Sequence, residues 1–265
     1  MRTLAHLSDL HFGHSAANDA ACAGLARSLA HAGVDHVVVT GDLTHTGRRE
    51  QIDAFRRAFA PLAAAGRLTV IPGNHDRMGH DVARQLMPGP RVEARLAPGL
   101  FLVRVDSTGP HNRSRIAGHG RFDADDLVRC EAALRAAPPD ALVVVLVHHH
   151  LVPLPEEDVA ERIASFLRRP WAAELPRGRR ILSALRGRCD LVLHGHRHHP
   201  SELILGRTSA RPLGVYNAGA TPRLGCVRIF RHANGRPVGA PQWLDVTLPI
   251  APQIAAGIEP APTFA

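Results

Sequence analysis

The chain has 265 residues, of which 45% are hydrophobic and 21% are charged, the ordinary proportions of a soluble globular protein. Its formal charge of +8 comes from arginine, because the sequence contains no lysine, and the arginines form no basic stripe interleaved with aromatic residues. With 1 Tyr and 2 Trp on which bases could stack, the composition makes nucleic acid an unlikely partner, although the positive field favours small anionic molecules.

Short apolar runs alternate with helical patterns through the first part of the chain. The runs predict strands at residues 3–8, 36–40, 68–71, 100–106, 141–148 and 190–194, and the segments between them predict helices at 16–32, 48–64, 123–136, 156–168 and 175–186. The run Val37-Val38-Val39 and the run 142–147 are continuously apolar, as expected of strands covered on both faces. This order predicts an α/β domain with largely parallel central strands.

Closely spaced strand patterns follow residue 199. They fall at 202–205, 213–217, 226–231 and 242–247, with a turn at Asn234-Gly235, and they predict a second, antiparallel sheet packed against the first. We assign residues 1–248 to a single domain and residues 249–265 to a loosely held tail rich in Pro and Ala. Residues 107–121 lack periodicity and are interpreted as a loop over the mouth of a functional site, with a solvated surface loop as the alternative.

The sequence contains no signal for secretion or membrane insertion. No apolar run is long enough to span a bilayer, and the first residues form no charged and apolar leader. The cysteines lie far apart and form no CxxC pair, so we expect small buried thiols; they are Cys22, Cys130, Cys189 and Cys226. We therefore expect a cytoplasmic protein without a membrane partner, and the sequence leaves its oligomeric state open.

Polar clusters directly follow five of the predicted strands. They are Asp9-Leu10-His11, Gly41-Asp42, Gly73-Asn74-His75-Asp76, His148-His149-His150 and His194-Gly195-His196-Arg197-His198. Because the carboxyl ends of strands in an open α/β sheet share one edge, we expect these clusters to meet in one crevice. Carboxylates, an amide oxygen and imidazoles without thiolates suit hard-to-borderline divalent metals, with Mn, Fe or Zn favoured.

The spacing within the clusters indicates how metal ions could be shared. Asp9 and His11 fall on the same side of an extended segment and can hold one ion together, and the pair His196 and His198 can serve two neighbouring ions. The two carboxylate oxygens of Asp42 allow it to bridge them. Glycines at positions 41, 73 and 195 permit close backbone approaches.

Taken in order, the clusters resemble the motifs of the calcineurin-like metallophosphoesterase superfamily, which run DxH, GD, GNH(D), H and GHxH. The resemblance spans residues 3–199, and the context is most similar to the class III cyclic nucleotide phosphodiesterases; it consists of Leu10-His11-Phe12-Gly13, Asp42-Leu43-Thr44, Gly47, Glu50 and Phe55. It implies an α/β two-sheet sandwich flanked by helices, with four layers in the order αββα, and a binuclear metal centre.

The resemblance also implies roles for individual residues. The first metal would be held by Asp9, His11, Asp42 and His198, and the second by Asp42, Asn74, His148 and His196. The family has an HH-P-P segment where this chain reads His-His-His-Leu-Val-Pro, so a shift of the ligand from His148 to His149 stays open. Substrate contacts would come from Asn74, His75 and His198.

The chemistry that the resemblance implies is hydrolysis of phosphodiester bonds. Two ions about 3.5–4 Å apart would present a bridging hydroxide for in-line attack and neutralise charge on the phosphoryl oxygens. His75 is predicted as the catalytic residue that protonates the leaving oxygen or stabilises its charge. Asp76 is predicted to hold that imidazole or to brace the loop.

Several functions stay open at this stage. The leading hypothesis is a small nucleotide-type diester as substrate, with cyclic nucleotides as the first candidates. A phosphomonoesterase or a nucleotide-type pyrophosphatase is the alternative, because this kind of metal centre does not itself discriminate among phosphoesters. A nuclease, or a non-catalytic scaffold such as the retromer subunit of the same superfamily, is less favoured, since this chain retains His75 with a full ligand set.

Two further groups of residues near the motifs are interpreted without an assigned role. His14, His45 and His199 are read as solvated rim residues that could contact substrate. The segment Asn217-Ala218-Gly219-Ala220 follows a late strand and either helps to shape the site or is a plain turn.

Overall fold

The computed structural model describes residues 1–109, 120–154 and 174–246. Its strands are β1 (Arg2–Leu7), β2 (His36–Thr40), β3 (Leu68–Ile71), β4 (Val92–Ala97), β5 (Leu100–Val105), β6 (Leu142–Leu146), β7 (Leu191–His194), β8 (Ser201–Leu205), β9 (Leu213–Asn217), β10 (Cys226–Ala233), β11 (Arg236–Pro237) and β12 (Gln242–Asp245). Its α-helices are α1 (Ala16–His31), α2 (Arg49–Ala64), α3 (Ala83–Leu86), α4 (Ala124–Arg135), α5 (Gly178–Leu185) and α6 (Thr221–Leu224), and His75–Arg77 forms a 3-10 turn.

The strands form two mixed sheets. The first has the order β11-β10-β1-β2-β3, with β12 also paired to β10, and its strands β1, β2 and β3 are parallel. The second has the order β4-β5-β6-β7-β9-β8, in which β5, β6, β7 and β9 are parallel and the edge strands β4 and β8 are antiparallel.

The prediction that the late strands form a sheet of their own is wrong. Strands β8 and β9 extend the second sheet, whereas β10, β11 and β12 extend the first, where β10 lies antiparallel to β1. A strand pattern in the sequence predicts that a segment joins a sheet, but it does not predict which neighbouring strand it pairs with.

The continuously apolar strands are covered on both faces, as predicted. In β2, Val37 and Val39 pack in a core with α1 and α2, whereas Val38 packs in the core between the two sheets. In β6, Val143 and Val145 pack in a core with α4 and α5, whereas Val144 faces the space between the sheets. Because successive side chains of a strand alternate in direction, these cores define the layers α, β, β and α. The predicted two-sheet sandwich flanked by helices is confirmed.

The remaining differences concern element boundaries and segments without a strong pattern. Strand β4 was not predicted, because its edge position leaves half of its side chains exposed to solvent. The helix predicted from residue 175 begins at Gly178. The turn at Asn234-Gly235 is confirmed, with φ of 48° and 71°. The predicted helix 156–168, residues 110–119 of the predicted loop and the proposed tail lie outside the described residues.

Among the described residues, no helix is long and apolar enough to cross a bilayer. All four cysteines are free thiols; Cys22, Cys130 and Cys189 are buried and Cys226 is half-buried.

Candidate metal centre

The polar clusters converge where the two sheets meet. Asp9, Asp42 and Asn74 follow strands of the first sheet, whereas His148 and the pair His196 and His198 follow strands of the second. The expectation of a single sheet edge is therefore corrected: the site is assembled from strand ends of both sheets.

The loops after β1 and β2 run side by side in a fixed register. The backbone N–H of Asp9 donates to the Gly41 carbonyl at 3.1 Å, and that of His11 donates to the Asp42 carbonyl at 2.9 Å. The prediction of an extended segment is wrong here. Asp9, His11 and Asp42 have φ of 55°, 47° and 51°, which is left-handed backbone. These left-handed conformations are uncommon for residues with a Cβ and are often found at functional sites.

One group of side chains gathers around the end of β1. The Nε2 atoms of His11 and His198 are 3.4 Å apart, and Asp9 Oδ1 lies 3.8 Å from His198 Nε2. Asp9 Oδ1 is buried and receives no hydrogen bond from the described residues. A carboxylate oxygen and two ring nitrogens thus converge within 4.8 Å of one another, which is the donor set of a cation site.

A second group is centred on the amide oxygen of Asn74. Asn74 Oδ1 lies 3.0 Å from His148 Nε2 and 3.0 Å from His196 Nδ1. Asp42 lies between the groups, since its Oδ2 is 3.5 Å from His148 Nε2 and 3.8 Å from His11 Nε2.

His148, rather than His149, directs a ring nitrogen into this arrangement. The Nδ1–H of His148 donates to the Thr40 carbonyl at 2.7 Å, which leaves Nε2 facing Asn74 and Asp42. The His149 ring instead meets the Ser107 hydroxyl, at 2.9 Å from Nδ1. Ser107 Oγ also accepts the N–H groups of His148 and His149, so its own hydrogen is available to His149.

The electrostatic field between the groups attracts positive charge. Burial acts to lower the pKa of His148, but the Asp42 carboxylate outweighs it and raises that pKa to about 9. Burial likewise acts to raise the pKa of Asp42, but the imidazoles of His148 and His75 hold it well below its usual range. Both shifts show a carboxylate that stays ionised and an imidazole site that favours a cation.

The predicted close approaches are present. Gly41 has a φ of +97°, and a Cβ there would lie 2.4 Å from His148 Nδ1. A Cβ on Gly73 would lie 2.2 Å from Asp42 Oδ1. Any other residue at either position would displace a side chain of the site.

His75 is held beside both groups through backbone contacts. Its N–H donates to Asp42 Oδ1 at 2.8 Å, and its ring Nδ1–H donates to the His45 carbonyl at 2.6 Å. The His45 ring also stacks against the His75 ring, with centroids 5.7 Å apart. His45 was predicted only as a rim residue; no sequence signal marks its contribution, because a backbone carbonyl is common to every residue type.

Residues 2–200 match the family model described as calcineurin-like phosphoesterase. The chain belongs to this family. The family description names an activity on phosphoesters, and the groups of donor side chains described above could hold metal ions.

Individual relatives of this phosphoesterase are distant. The chain is 24% identical over 135 residues to a "Probable cyclic nucleotide phosphodiesterase" of Vesicomyosocius okutanii subsp. Calyptogena okutanii, a match that covers 48% of this chain and 50% of that protein. The matched region thus spans about half the length of that relative.

Two solved structures share the fold at low identity. A dimetal phosphatase from Danio rerio has a TM-score of 0.58 and 14% identity, and the match covers 89% of this chain and 98% of the other. GAP50, the anchor in the inner membrane complex of Plasmodium, has a TM-score of 0.53 and 11% identity, with 93% and 85% covered.

Asp76 braces the phosphoesterase site instead of contacting His75. Its carboxylate is fully buried and accepts the N–H groups of Leu43, Thr44 and Gly73 and the Thr44 hydroxyl, at 2.7–3.2 Å. The His45 carbonyl, not Asp76, accepts from the His75 ring, so of the two roles that the sequence left open for Asp76 the contacts favour bracing of the loop. It ties the turn after β3 to the loop after β2.

The segment after β9, which the sequence left as either a turn or a part of the site, holds the loop that carries His198. The amide group of Asn217 donates to the carbonyls of Arg197 and His199 at 2.8 and 3.0 Å. The N–H of Ala220 donates to the His198 carbonyl at 2.9 Å. This segment therefore shapes the site.

A cleft of about 540 Å³ opens beside the first group and His75. It is lined by Asp9, His11, His14, Ser15, Ala17, Asn18, Ala21, His45, His75, His198, Ala220, Pro222 and Arg223. A volume of this size is typical of sites for small organic ligands.

Proposed function

We propose that this phosphoesterase hydrolyses phosphodiester bonds in small nucleotide-type substrates, with two metal ions that share Asp42. Asp9, His11 and His198 would complete the first site, and Asn74, His148 and His196 the second. The observation that carries the proposal is the position of Asp42 Oδ2, at 3.8 Å from His11 Nε2 and at 3.5 Å from His148 Nε2. One carboxylate thus reaches an imidazole of each group.

The donor set fits metal ions. The Nε2 atoms of His11 and His198 lie 3.4 Å apart, and His148 Nε2 faces the oxygens of Asn74 and Asp42. A metal ion between these atoms would be stabilised by the lone pairs of the ring nitrogens and oxygens. The mixture of oxygen and nitrogen ligands suits Mn, Fe or Zn. Two such ions activate water and neutralise charge on a phosphoryl group.

The protein's own contribution to bond cleavage falls to His75. Its Nδ1–H is committed to the His45 carbonyl, so Nε2 is the ring atom available to a bound substrate. An imidazolium there can transfer its Nε2 proton to the leaving oxygen. Asn74 and His198 would contact the phosphoryl oxygens.

The preference for a diester is supported by the cleft and by one relative. A diester has a second organic group, and the cleft of about 540 Å³ beside His75 can receive it. The relative described as a probable cyclic nucleotide phosphodiesterase makes a cyclic nucleotide a candidate substrate. A phosphomonoesterase would instead prefer p-nitrophenyl phosphate in the assay below.

The test is hydrolysis by Mn²⁺-loaded protein of bis(p-nitrophenyl) phosphate, p-nitrophenyl phosphate and 3′,5′-cyclic AMP. We expect the wild type to prefer the diesters. H75A should lower kcat by about 10²–10³-fold while the metal content stays unchanged, because the residue supplies a proton and no ligand. D42A should lose both metal and activity, by more than about 10³-fold.

Matched surface variants control for the substitutions. H31A and D53A remove an exposed imidazole and an exposed carboxylate that belong to neither donor group nor the cleft lining, and both should retain wild-type kcat and metal content. Full activity in D42A, or metal loss in H75A, would contradict the assignment.

A further inference from the structure

The cleft opens on one side of the proposed metal pair. Its lining includes Asp9, His11 and His198 together with His75, but not Asn74, His148 or His196. Because His75 is the proposed proton donor to the leaving oxygen, the part of the substrate that leaves is the part that this cleft receives.

Small side chains form the floor of the cleft. Ala17 and Ala21 lie one turn apart on α1, Ala220 directly precedes α6, and Pro222 lies within it. No bulky apolar residue stands among these four. Because all four are small and apolar, a sugar or a ring can pack against them.

The beginning of α6, the short helix that carries Arg223, is held by hydrogen bonds to two neighbouring segments. The Ser8 N–H donates to Thr221 Oγ1 at 3.0 Å, and the Thr221 N–H donates to the Ser8 carbonyl at 3.2 Å. The N–H of Ala220 donates to the His198 carbonyl at 2.9 Å. The short helix that carries Arg223 is therefore tied to the backbone directly before Asp9 and to His198.

Arg223 carries the only permanent positive charge among the described residues that line the cleft. Its side chain is exposed, and within the described part of the chain no carboxylate pairs with it. The lining contains one carboxylate, Asp9, which belongs to the proposed metal site. The remaining polar lining is formed by imidazoles, a hydroxyl and an amide, so nothing there repels a second anion.

We propose that Arg223 binds a second anionic group on the leaving portion of the substrate. The substrate class is then a small diester whose leaving arm carries its own phosphate, with the intervening sugar or ring on the floor formed by Ala17, Ala21, Ala220 and Pro222. A guanidinium suits this role because it offers paired N–H donors to phosphate oxygens. The proposal deepens the proposed function and rests on it for the identity of the leaving side.

Binding of two product-like ligands tests the proposal without turnover of a diester. Adenosine 3′,5′-bisphosphate and 3′-AMP differ by one phosphate, and calorimetry on Mn²⁺-loaded H75A protein gives their dissociation constants while turnover is suppressed. We expect the bisphosphate to bind at least about tenfold more tightly, since a charge-assisted pair to a phosphate is worth about one decade or more. R223Q should reduce this ratio to about 1, and R223K should restore part of it.

Two controls separate recognition from the general positive field of the chain. R27Q removes an exposed arginine of α1 outside the cleft lining and should leave the ratio unchanged. A21L should weaken both ligands several-fold because it fills the floor, whereas A16L, outside the lining, should weaken neither. Equal affinity of the wild-type site for the two ligands, or a ratio that survives in R223Q, would overturn the proposal.

Hydrolysis then connects the binding data with function. The dinucleotides pApA and ApA differ in a terminal 5′-phosphate, and we expect kcat/KM to favour pApA about tenfold in the wild type and not in R223Q. If no diester is cleaved at all, the proposed function fails, whereas the binding ratio still decides the role of Arg223. Equal cleavage of both dinucleotides by the wild type would contradict that role alone.

Discussion

His148 has one ring nitrogen bonded to the Thr40 carbonyl and the other directed at Asn74 and Asp42, whereas His149 meets a hydroxyl. A metal ligand commonly has this arrangement, in which a backbone acceptor orients the ring and fixes its tautomer. The sequence reads three consecutive histidines here, and their spacing alone does not distinguish them. The structure distinguishes His148 from His149, because these consecutive residues after β6 direct their rings to different neighbours.

The two histidines should therefore respond differently to substitution. We expect H148A to bind about one metal ion fewer per chain, because it removes a donor of the Asn74 group. H149Q, which keeps a hydrogen-bonding partner for Ser107, should retain wild-type metal content. Elemental analysis after dialysis against Mn²⁺ checks both variants, and a metal deficit confined to H149Q would reverse the assignment.

Asp76 should contribute to stability more than its position in the motif suggests. In the wild type, both carboxylate oxygens of Asp76 accept hydrogen bonds from backbone N–H groups. D76N keeps the size of the side chain but replaces one of these acceptors with an NH2 donor, which cannot accept them. We expect the free energy of unfolding of the metal-free protein to fall by about 2–4 kcal/mol. Urea unfolding measures it; D53N, on an exposed helix surface, is the control and should unfold like the wild type.

At the residue scale, the sequence could predict which side chains supply donor atoms to the site. It could not predict which backbone carbonyls orient them. The types and order of Asp9, His11, Asp42 and Asn74 carry the metal-site prediction, because each supplies a donor atom through its own side chain. The carbonyls that orient His75 and His148 belong to His45 and Thr40. Their role follows from the path of the chain, which no residue letter encodes.

At the scale of elements, the loops after the strands decide the geometry of the site. The parallel pairing of β1 and β2 continues past the strand ends, through the N–H groups of Asp9 and His11. Continuous apolar runs predict such buried strands well, whereas the edge strand β4 and the partners of the late strands have no comparable signal. Pairing partners depend on the packing of the whole chain.

Gly41 and Gly66 form a matched pair for testing the turn after β2. Both have positive φ, of +97° and +68°, but a Cβ on Gly41 would meet His148 Nδ1 at 2.4 Å and one on Gly66 meets nothing within 4 Å. G66A should cost about 1 kcal/mol of unfolding free energy, from the left-handed backbone alone. G41A should cost more than about 3 kcal/mol, because a clash is added.

Urea unfolding of metal-free protein compares the two variants, and metal content gives a second readout. G41A should also bind Mn²⁺ poorly, since His148 must move, whereas G66A should bind it normally. Equal losses of stability in the two variants would show that crowding at Gly41 is unimportant.

At the scale of the whole molecule, the site joins two sheets that the sequence presents as similar runs of apolar residues. The four-layer arrangement could be expected from continuous strands and from family resemblance, and the core residues of β2 and β6 alternate accordingly. The sequence could not predict to which sheet each strand belongs. Val37-Val38-Val39 and residues 142–147 have the same apolar pattern but lie in different sheets.

Buried histidines in these layers should make the fold sensitive to acid. Burial, with smaller effects of Arg95 and Arg67, lowers the pKa of His36 to about 4 from a usual value of 6.5, and its ring contacts Thr69 Oγ1 at 2.9 Å. Below pH 6.5 the unfolded chain binds a proton that the folded chain does not. The free energy of unfolding therefore falls between pH 6.5 and about 4, and above that window His36 has no effect.

H36Q removes this titration and leaves a polar side chain near Thr69. Between pH 7.5 and pH 5, the wild type should lose about 2 kcal/mol more unfolding free energy than H36Q, as 1.4 kcal/mol per pH unit over about 1.5 units requires. Urea unfolding at the two pH values checks this difference. The same loss in both proteins would mean that His36 takes up its proton while folded.

The left-handed backbone at Asp9, His11 and Asp42 implies a trade-off between the stability of the fold and the proposed metal binding. Glycine would occupy these three positions with less strain, at a saving of about 1 kcal/mol each, yet it offers no donor atom to an ion. Selection for thermal stability alone would therefore favour glycine at these positions and would give a more stable protein without the metal-binding side chains. Engineering this scaffold for hot conditions should therefore leave the tips of β1 and β2 untouched and seek its gains elsewhere.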